Sequence, residues 1–356
     1  MEEITLQIKP VGNHCNLHCS YCYAAPFKKP KYKVLDLKLL EKLIKESLET
    51  ADNLIISWHG GEPTMVGTDY FKRYMEIIRK YKKDNQRVVN MLQTNATLIT
   101  DEMAEFFKEN NFIVSISLDG DEESHNKNRY NYQGKGSFKD TMKGVEILRK
   151  YGIFPPLIAT ITQSTIDDGV RNFRFFVENG FKEIKFSPVY DSDSDDFSIT
   201  NEKWYKYTKE IFDEWLNLKD KNIKVREIDE ILSWIAGENL NICANKGMCL
   251  SWLSIDEDGD IYPCEYLRKD NPYGNINDMH IKDVFTSESY LKFKDKVLSM
   301  PEKCKDCKLL NYCHNGCPAT RIKNNALAYD GLYVYCEQRQ RLILDIEKLI
   351  GGEVDD

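Results

Sequence analysis

The stretch HCNLHCSYC, residues 14–22, places Cys15, Cys19 and Cys22 in one short loop, and the next cysteine is Cys243. Three thiols at this spacing form a metal-ligand pattern, because side chains from one loop can converge on a single centre. Two kinds of centre are open at this point. A structural zinc site takes four ligands, so His14 or His18 would supply the fourth. A cubane iron–sulfur cluster is ordinarily held by four thiolates; held by three, it keeps one iron free to bind a substrate or cofactor. The remaining eight cysteines are Cys243, Cys249, Cys264, Cys304, Cys307, Cys313, Cys317 and Cys336, the number two fully ligated cubanes require. Taken alone, Cys304-x2-Cys307 followed by Cys313 and Cys317 has zinc-ribbon spacing as well. An odd total of 11 cysteines without a secretory signal argues against a disulfide framework.

Elements that could hold such sites follow from periodicity. Residues 4–8, 53–58, 88–93, 112–118, 156–162 and 183–189 read as β-branched strands. Amphipathic helices are predicted at 35–49, 69–81, 100–110, 137–151 and 167–179, the first with Leu39, Leu43, Ile44 and Leu48 on one face. Strands that alternate with helices imply a parallel sheet with right-handed crossovers, that is, an α/β barrel or part-barrel whose site lies at the strand C-terminal ends. The acidic, serine-rich stretch 190–202 reads as a linker, and 201–218 as a helix whose Trp204, Ile211, Phe212 and Trp215 pack a core. From Cys243 the pattern changes to turns and short strands, including a hairpin over 252–267 with Asp258-Gly259 at its tip.

Composition limits the partners. The chain has 356 residues with a net charge of −8, which disfavours nucleic acid, and no apolar run is long enough to cross a bilayer. The N-terminus MEEITLQIKP lacks the basic and apolar regions of a signal peptide, so a cytoplasmic location is expected. The basic stretch FKKPKYK (27–33) reads as a solvated loop.

At CNLHCSYC the chain resembles the radical S-adenosylmethionine (SAM) enzymes, whose CxxxCxxC loop follows the first strand. The resemblance implies a [4Fe–4S] cluster on Cys15, Cys19 and Cys22, with SAM chelating the open iron and yielding a 5′-deoxyadenosyl radical. It places Tyr21 near the adenine and HGGEP (59–63) at the SAM amino group, with Gly60, Gly61, Glu62 and Pro63 as binding residues. Glycines would let the backbone approach the ligand, and Glu62 would accept from the ammonium. LQTNAT (92–97) and SISLDG (115–120) resemble pocket-lining segments, which adds Gln93, Thr94, Asn95, Ser117 and Asp119.

The C-terminal cysteines resemble the SPASM domain of peptide maturases. That resemblance implies one auxiliary cluster on Cys243, Cys249, Cys264 and Cys317 and a second on Cys304, Cys307, Cys313 and Cys336, for three [4Fe–4S] clusters in all. Glu265 then stands where anaerobic sulfatase-maturing enzymes carry a catalytic aspartate, and His59 where they tend to have glutamine. The implied architecture is a partial (β/α)6 TIM-like barrel over 1–190, a linker with bridging helices over 191–235, a SPASM domain over 236–340 and a C-terminal helix or tail over 341–356.

The expected function is oxidative modification of a peptide or protein side chain, with a thioether or carbon–carbon cross-link in a ribosomally made peptide as the main reading. Formylglycine formation on a sulfatase is the alternative, and a non-catalytic zinc or electron-transfer protein is the alternative of another class. Expected partners are the peptide or protein substrate and a reductant such as flavodoxin or ferredoxin. With the first strand at residue 4 and 20 residues after Cys336, no leader-gripping domain is expected, so a separate leader-binding protein is a further candidate.

Overall fold

The computed structural model describes residues 1–190, 198–270, 272–324 and 326–351, so most of the expected linker at 190–202 lies outside the described residues. The strands in chain order are β1 (Glu3–Ile8), β2 (Asn53–Trp58), β3 (Arg87–Thr94), β4 (Ile113–Ser117), β5 (Leu157–Ile161), β6 (Glu183–Pro188), β7 (Lys224–Val225), β8 (Trp252–Ile255), β9 (Asp260–Tyr262) and β10 (Gly274–Asn275). The first eight helices are α1 (Leu37–Thr50), α2 (Thr68–Tyr81), α3 (Asp101–Glu109), α4 (Glu122–Asn128), α5 (Phe138–Lys150), α6 (Gly169–Glu178), α7 (Asn201–Leu216) and α8 (Arg226–Ile235). The six expected strands and the helices between them are present within two residues of their predicted limits, and α4 is an addition. The alternation of parallel strand and helix makes the chain an α/β protein.

Two compact units interleave along the chain: one holds 1–117, 128–155 and 249–295, the other 118–127, 156–248 and 296–356. In the first unit the strand order is β10-β9-β8-β1-β2-β3-β4. Strand β1 is buried on both faces, with Ile4, Leu6 and Ile8 at 0% exposure and Thr5 and Gln7 nearly so, which is why its sequence does not alternate cleanly. Strand β2 does alternate, and its Trp58 meets Tyr70, Phe71 and Tyr74 of α2 edge-on. Helix α1 starts at Asp36, whose carboxylate accepts from Lys38 N and Leu39 N, and buries Leu40 with Leu43, Ile44 and Leu48. The expected Leu39 is only half-buried.

The hairpin expected at 252–267 forms from β8 and β9, with Gly259 at φ +84° in its turn. Sequence reasoning missed that β8 also pairs in parallel with β1, through Thr5–Trp252 to Ile8–Ile255. Nothing local announces this, because the partners lie about two hundred and fifty residues apart. The hairpin turn also settles the basic stretch 27–33. Lys29 binds Asp256 at 3.0 Å and also Asp258, and Lys33 binds Asp258, so two of its lysines are paired with carboxylates.

In the second unit β5, β6 and β7 are parallel. Helix α7 buries Trp204, Ile211 and Phe212, while Trp215 is half-buried and donates Nε1–H to the Ile223 carbonyl at 2.8 Å. The last helix begins at Cys336 and runs to Leu349, earlier than the expected tail boundary. It joins α7 through Gln338, whose backbone N–H donates to Asn201 Oδ1 at 3.1 Å and whose side chain donates to Thr208 Oγ1 at 3.0 Å.

Candidate active site

All eleven cysteines are free thiols. Cys15, Cys19 and Cys22 lie in the loop that leaves β1 at its C-terminal end, where a parallel sheet places its functional loops. Three straps fix that loop. The segment after α4 pairs with it, through the Leu17–Asn131 bridge, His18 N–H to Tyr130 O at 2.7 Å and Ser20 N–H to Asn128 O at 3.0 Å. The turn after β3 closes a side-chain ring: Asn95 Nδ2 donates to Asn16 Oδ1 at 2.9 Å, Asn16 Nδ2 donates to Thr97 Oγ1 at 2.8 Å, and Thr97 Oγ1 donates to Asn95 Oδ1 at 2.8 Å. Asn95 also lies 3.7 Å from Cys15 Sγ.

The turn after β2 supplies the third strap, and here the structure revises the reason for its glycines. Gly61 N–H donates to Gly12 O and Glu62 N–H to His14 O, both at 2.9 Å, and a Cβ at Gly61 would collide with the His14 carbonyl. Gly60 has φ +107° and packs on Gly12 and Lys9. The glycines are required because two backbone segments touch, so HGGEP positions the cysteine loop itself.

Glu62 is 1% exposed. Its Oε1 accepts from Thr64 N (3.0 Å), Thr64 Oγ1 (2.6 Å) and Thr94 Oγ1 (2.7 Å), and its Oε2 accepts from Asn95 N (2.8 Å). The first oxygen is saturated, whereas the second has room for one further donor. Burial raises the Glu62 carboxyl above its ordinary range, against the pull of those four donors. The same burial, with Glu62 close by, pushes the Cys15 thiol up to about 12. Such a thiol is inert until a metal takes its proton.

The other expected pocket residues divide. Gln93 Nε2 donates to Ser117 Oγ at 2.9 Å, tying the ends of β3 and β4. Tyr21 carries the Arg129 guanidinium over its ring at 5.4 Å. Pro63 is buried at the start of a short 3-10 helix that Glu62 caps. Asp119 belongs to the second unit, is fully buried, and accepts from Thr160 N at 2.9 Å.

The rings of Tyr23 and Tyr266 meet at a tilt with centroids 4.3 Å apart, and this contact brings the loop to the segment Cys264-Glu265-Tyr266. Glu265 is not a surface acid. It forms an ion pair with Lys9 at 2.5 Å, with both side chains 1% exposed. Lys9 was missed by sequence reasoning; its only signal was a lysine set directly after a fully buried strand.

Six of the eight C-terminal cysteines lie in the second unit. Cys304, Cys307, Cys313 and Cys336, the set assigned by resemblance to one cluster, line a single cavity together with Lys303, Tyr333 and Arg339. Four thiols lining one cavity are the donor set that the resemblance implies for a cubane. Cys317, four residues after Cys313, belongs by resemblance to the other cluster. The chain separates the two through a left-handed turn, with φ of 46°, 59° and 58° at His314, Asn315 and Gly316. Arg321, 2% exposed, holds this turn by donating to the His314 and Asn315 carbonyls at 3.1 and 2.9 Å. Cys243 and Cys317 lie in the second unit, where Lys185 faces both, while Cys249 and Cys264 lie in the first.

Comparison with known proteins accords with this geometry. The radical SAM superfamily matches residues 10–187, and the SPASM iron–sulfur cluster-binding domain matches residues 247–308. The cysteine-type anaerobic sulfatase-maturating enzyme of Clostridium novyi is 31% identical over 91% of this chain and 90% of its own. The serine-type enzyme of Bacteroides thetaiotaomicron is 32% identical over 93% and 86%. The solved structure of native anSMEcpe with bound AdoMet and Cp18Cys peptide superposes with a TM-score of 0.84 at 28% identity, covering 98% of this chain and 100% of that one. The chain belongs to the radical SAM superfamily, in the group that carries a SPASM domain, and is a SAM- and iron–sulfur-dependent enzyme that acts on a peptide or protein side chain.

Proposed function

We propose that the chain oxidises a cysteine or serine side chain of a polypeptide to the aldehyde of formylglycine. This replaces the cross-link expected as the main reading, because relatives similar over about nine-tenths of the chain are sulfatase-maturating enzymes of both cysteine and serine type. The observation that carries the proposal is the buried Lys9–Glu265 pair directly after Cys264, reached from the cysteine loop through the Tyr23–Tyr266 contact. A carboxylate in that position can take the proton a substrate thiol or hydroxyl must lose.

Cys15, Cys19 and Cys22 would hold the SAM-binding cluster, and the other eight cysteines two auxiliary clusters, for three [4Fe–4S] clusters. Bound SAM supplies the adenosyl radical that removes a hydrogen atom from the substrate carbon. Glu62 would accept from the ammonium of bound SAM, with Gly60, Gly61 and Pro63 shaping that turn. Tyr21, Gln93, Thr94, Asn95 and Ser117 border the ligand, while Asp119 fixes a strand end. Glu265 takes the substrate proton, and Lys9 balances its charge. The reductant is a flavodoxin or ferredoxin of a reducing cytoplasm. Among the described residues no helix is long and apolar enough to cross a membrane.

The test incubates anaerobically reconstituted enzyme with SAM, dithionite and a peptide containing Cys-x-Pro-x-Arg. A peptide aldehyde with matching 5′-deoxyadenosine is the expected result. 5′-Deoxyadenosine without a change in the peptide would overturn formylglycine formation on this motif while leaving the radical chemistry in place.

A further inference from the structure

The cavity lined by Cys304, Cys307, Cys313 and Cys336 holds a cation that neither the cysteine pattern nor the proposed chemistry accounts for. Arg339 sits three residues into the helix that opens with Cys336, so the two side chains share one helix face. Its Nη1 lies 3.3 Å from Cys313 Sγ, within hydrogen-bond reach of sulfur. The guanidinium rests over the Tyr333 ring at 4.5 Å and the Tyr312 ring at 5.6 Å, which fixes its plane. Its largest electrostatic partners are Tyr333, Cys313 and Tyr312. An arginine stays charged at any working pH, so this positive charge faces the Cys313 sulfur permanently.

Reducing a cubane adds one negative charge, and donors and cations at its sulfurs stabilise the reduced form. We propose that Arg339 raises the reduction potential of the auxiliary cluster held by Cys304, Cys307, Cys313 and Cys336, favouring it as an acceptor of the substrate electron. This rests on the reading that those four thiols hold a [4Fe–4S] cluster. The substrate carbon radical gives up one electron and its thiol one proton, forming a C=S bond that water later hydrolyses. The electron takes the acceptor cluster from the 2+ to the 1+ state, and the proton goes to Glu265. An external one-electron carrier, such as an oxidised flavodoxin or ferredoxin, then restores the 2+ state.

The experiment is an anaerobic redox titration of reconstituted enzyme, followed by electron paramagnetic resonance. It compares wild type with Arg339→Met, which removes charge and donors at similar length, and Arg339→Lys, which keeps only the charge. In Arg339→Met one cluster should hold about tenfold less reduced form at a fixed potential, a shift of about 59 mV for one electron, while the other two are unmoved. Arg339→Lys should fall between. With dithionite, 5′-deoxyadenosine formation should persist while aldehyde formed per 5′-deoxyadenosine drops. If Arg339→Met loads its cluster poorly, Arg339→Lys decides: a potential below wild type supports the proposal, and wild-type potentials overturn it. Equal shifts in all three clusters also overturn it. Zinc instead of iron in the wild-type C-terminal site would sink the cluster reading itself, a separate failure.

Discussion

The first and last cysteine groups use the same ligand in opposite electrostatic settings. Around Cys15 the neighbours are amides and a buried acid: Asn95 Nδ2 at 3.7 Å, and Glu62, which raises the thiol. Around Cys313 the neighbour is a guanidinium at 3.3 Å, held over two tyrosine rings. A centre that must give an electron to SAM benefits from negative surroundings, and a centre that must accept one from a substrate radical benefits from positive surroundings. Of the buried cations of the first unit, Lys9 faces the carboxylate of Glu265 and Arg129 lies over the ring of Tyr21. The two sites therefore differ in more than their count of ligands.

This contrast can be broken at several points. The largest effect is expected from Cys15→Ala. It should abolish 5′-deoxyadenosine formation and lower iron by about four atoms per chain, the content of one cubane, while the C-terminal signals persist in electron paramagnetic resonance. If the C-terminal signals vanish too, the groups are not separate sites. Next is Lys9→Met, which leaves Glu265 as an uncompensated buried charge and should cost about 3–5 kcal/mol by chemical denaturation. A loss below about 1 kcal/mol would mean that the pair is open to water, where ion pairs contribute little. The smallest change, Glu62→Gln, replaces an acceptor oxygen facing Thr64 or Asn95 by an NH2 group. It should cost about 1–3 kcal/mol for the mispaired donor. Its sharper consequence is a raised potential of the SAM-binding cluster, opposite in sign to the shift expected from Arg339→Met. Movement of both potentials in one direction would refute the assignment of opposite roles.

Much of this was legible without coordinates. The strands at 4–8 and 53–58 follow from β-branched runs, and the helix at 69–81 from its 3.6-residue stripe. The grouping of Cys304, Cys307, Cys313 and Cys336 came from resemblance, and one cavity brings them together. Less was legible about roles. Gly60 and Gly61 were expected to admit a ligand, yet they admit the Gly12–His14 backbone. Glu62 was expected as an acceptor for SAM alone, yet it also ties β3 to the turn after β2. Asp119 was expected among the pocket residues, and the structure adds that it lies buried in the second unit and accepts from Thr160 N.

By itself, the sequence determined what is local: which residues are thiols, how they are spaced, and which segments alternate as strand and helix. Spacing in a loop and periodicity in an element are short-range properties, so a few residues suffice to read them. The partners of the charged groups around those thiols were decided by the tertiary structure alone. Lys9 meets Glu265 across most of the chain, Glu62 meets Asn95 across 33 positions, and Arg339 meets Cys313 across 26. Burial makes each of these encounters count, because an acid or a cation removed from water acts on its neighbour with little screening. Such pairings are set by how strands and turns pack, and no local pattern in the chain records them.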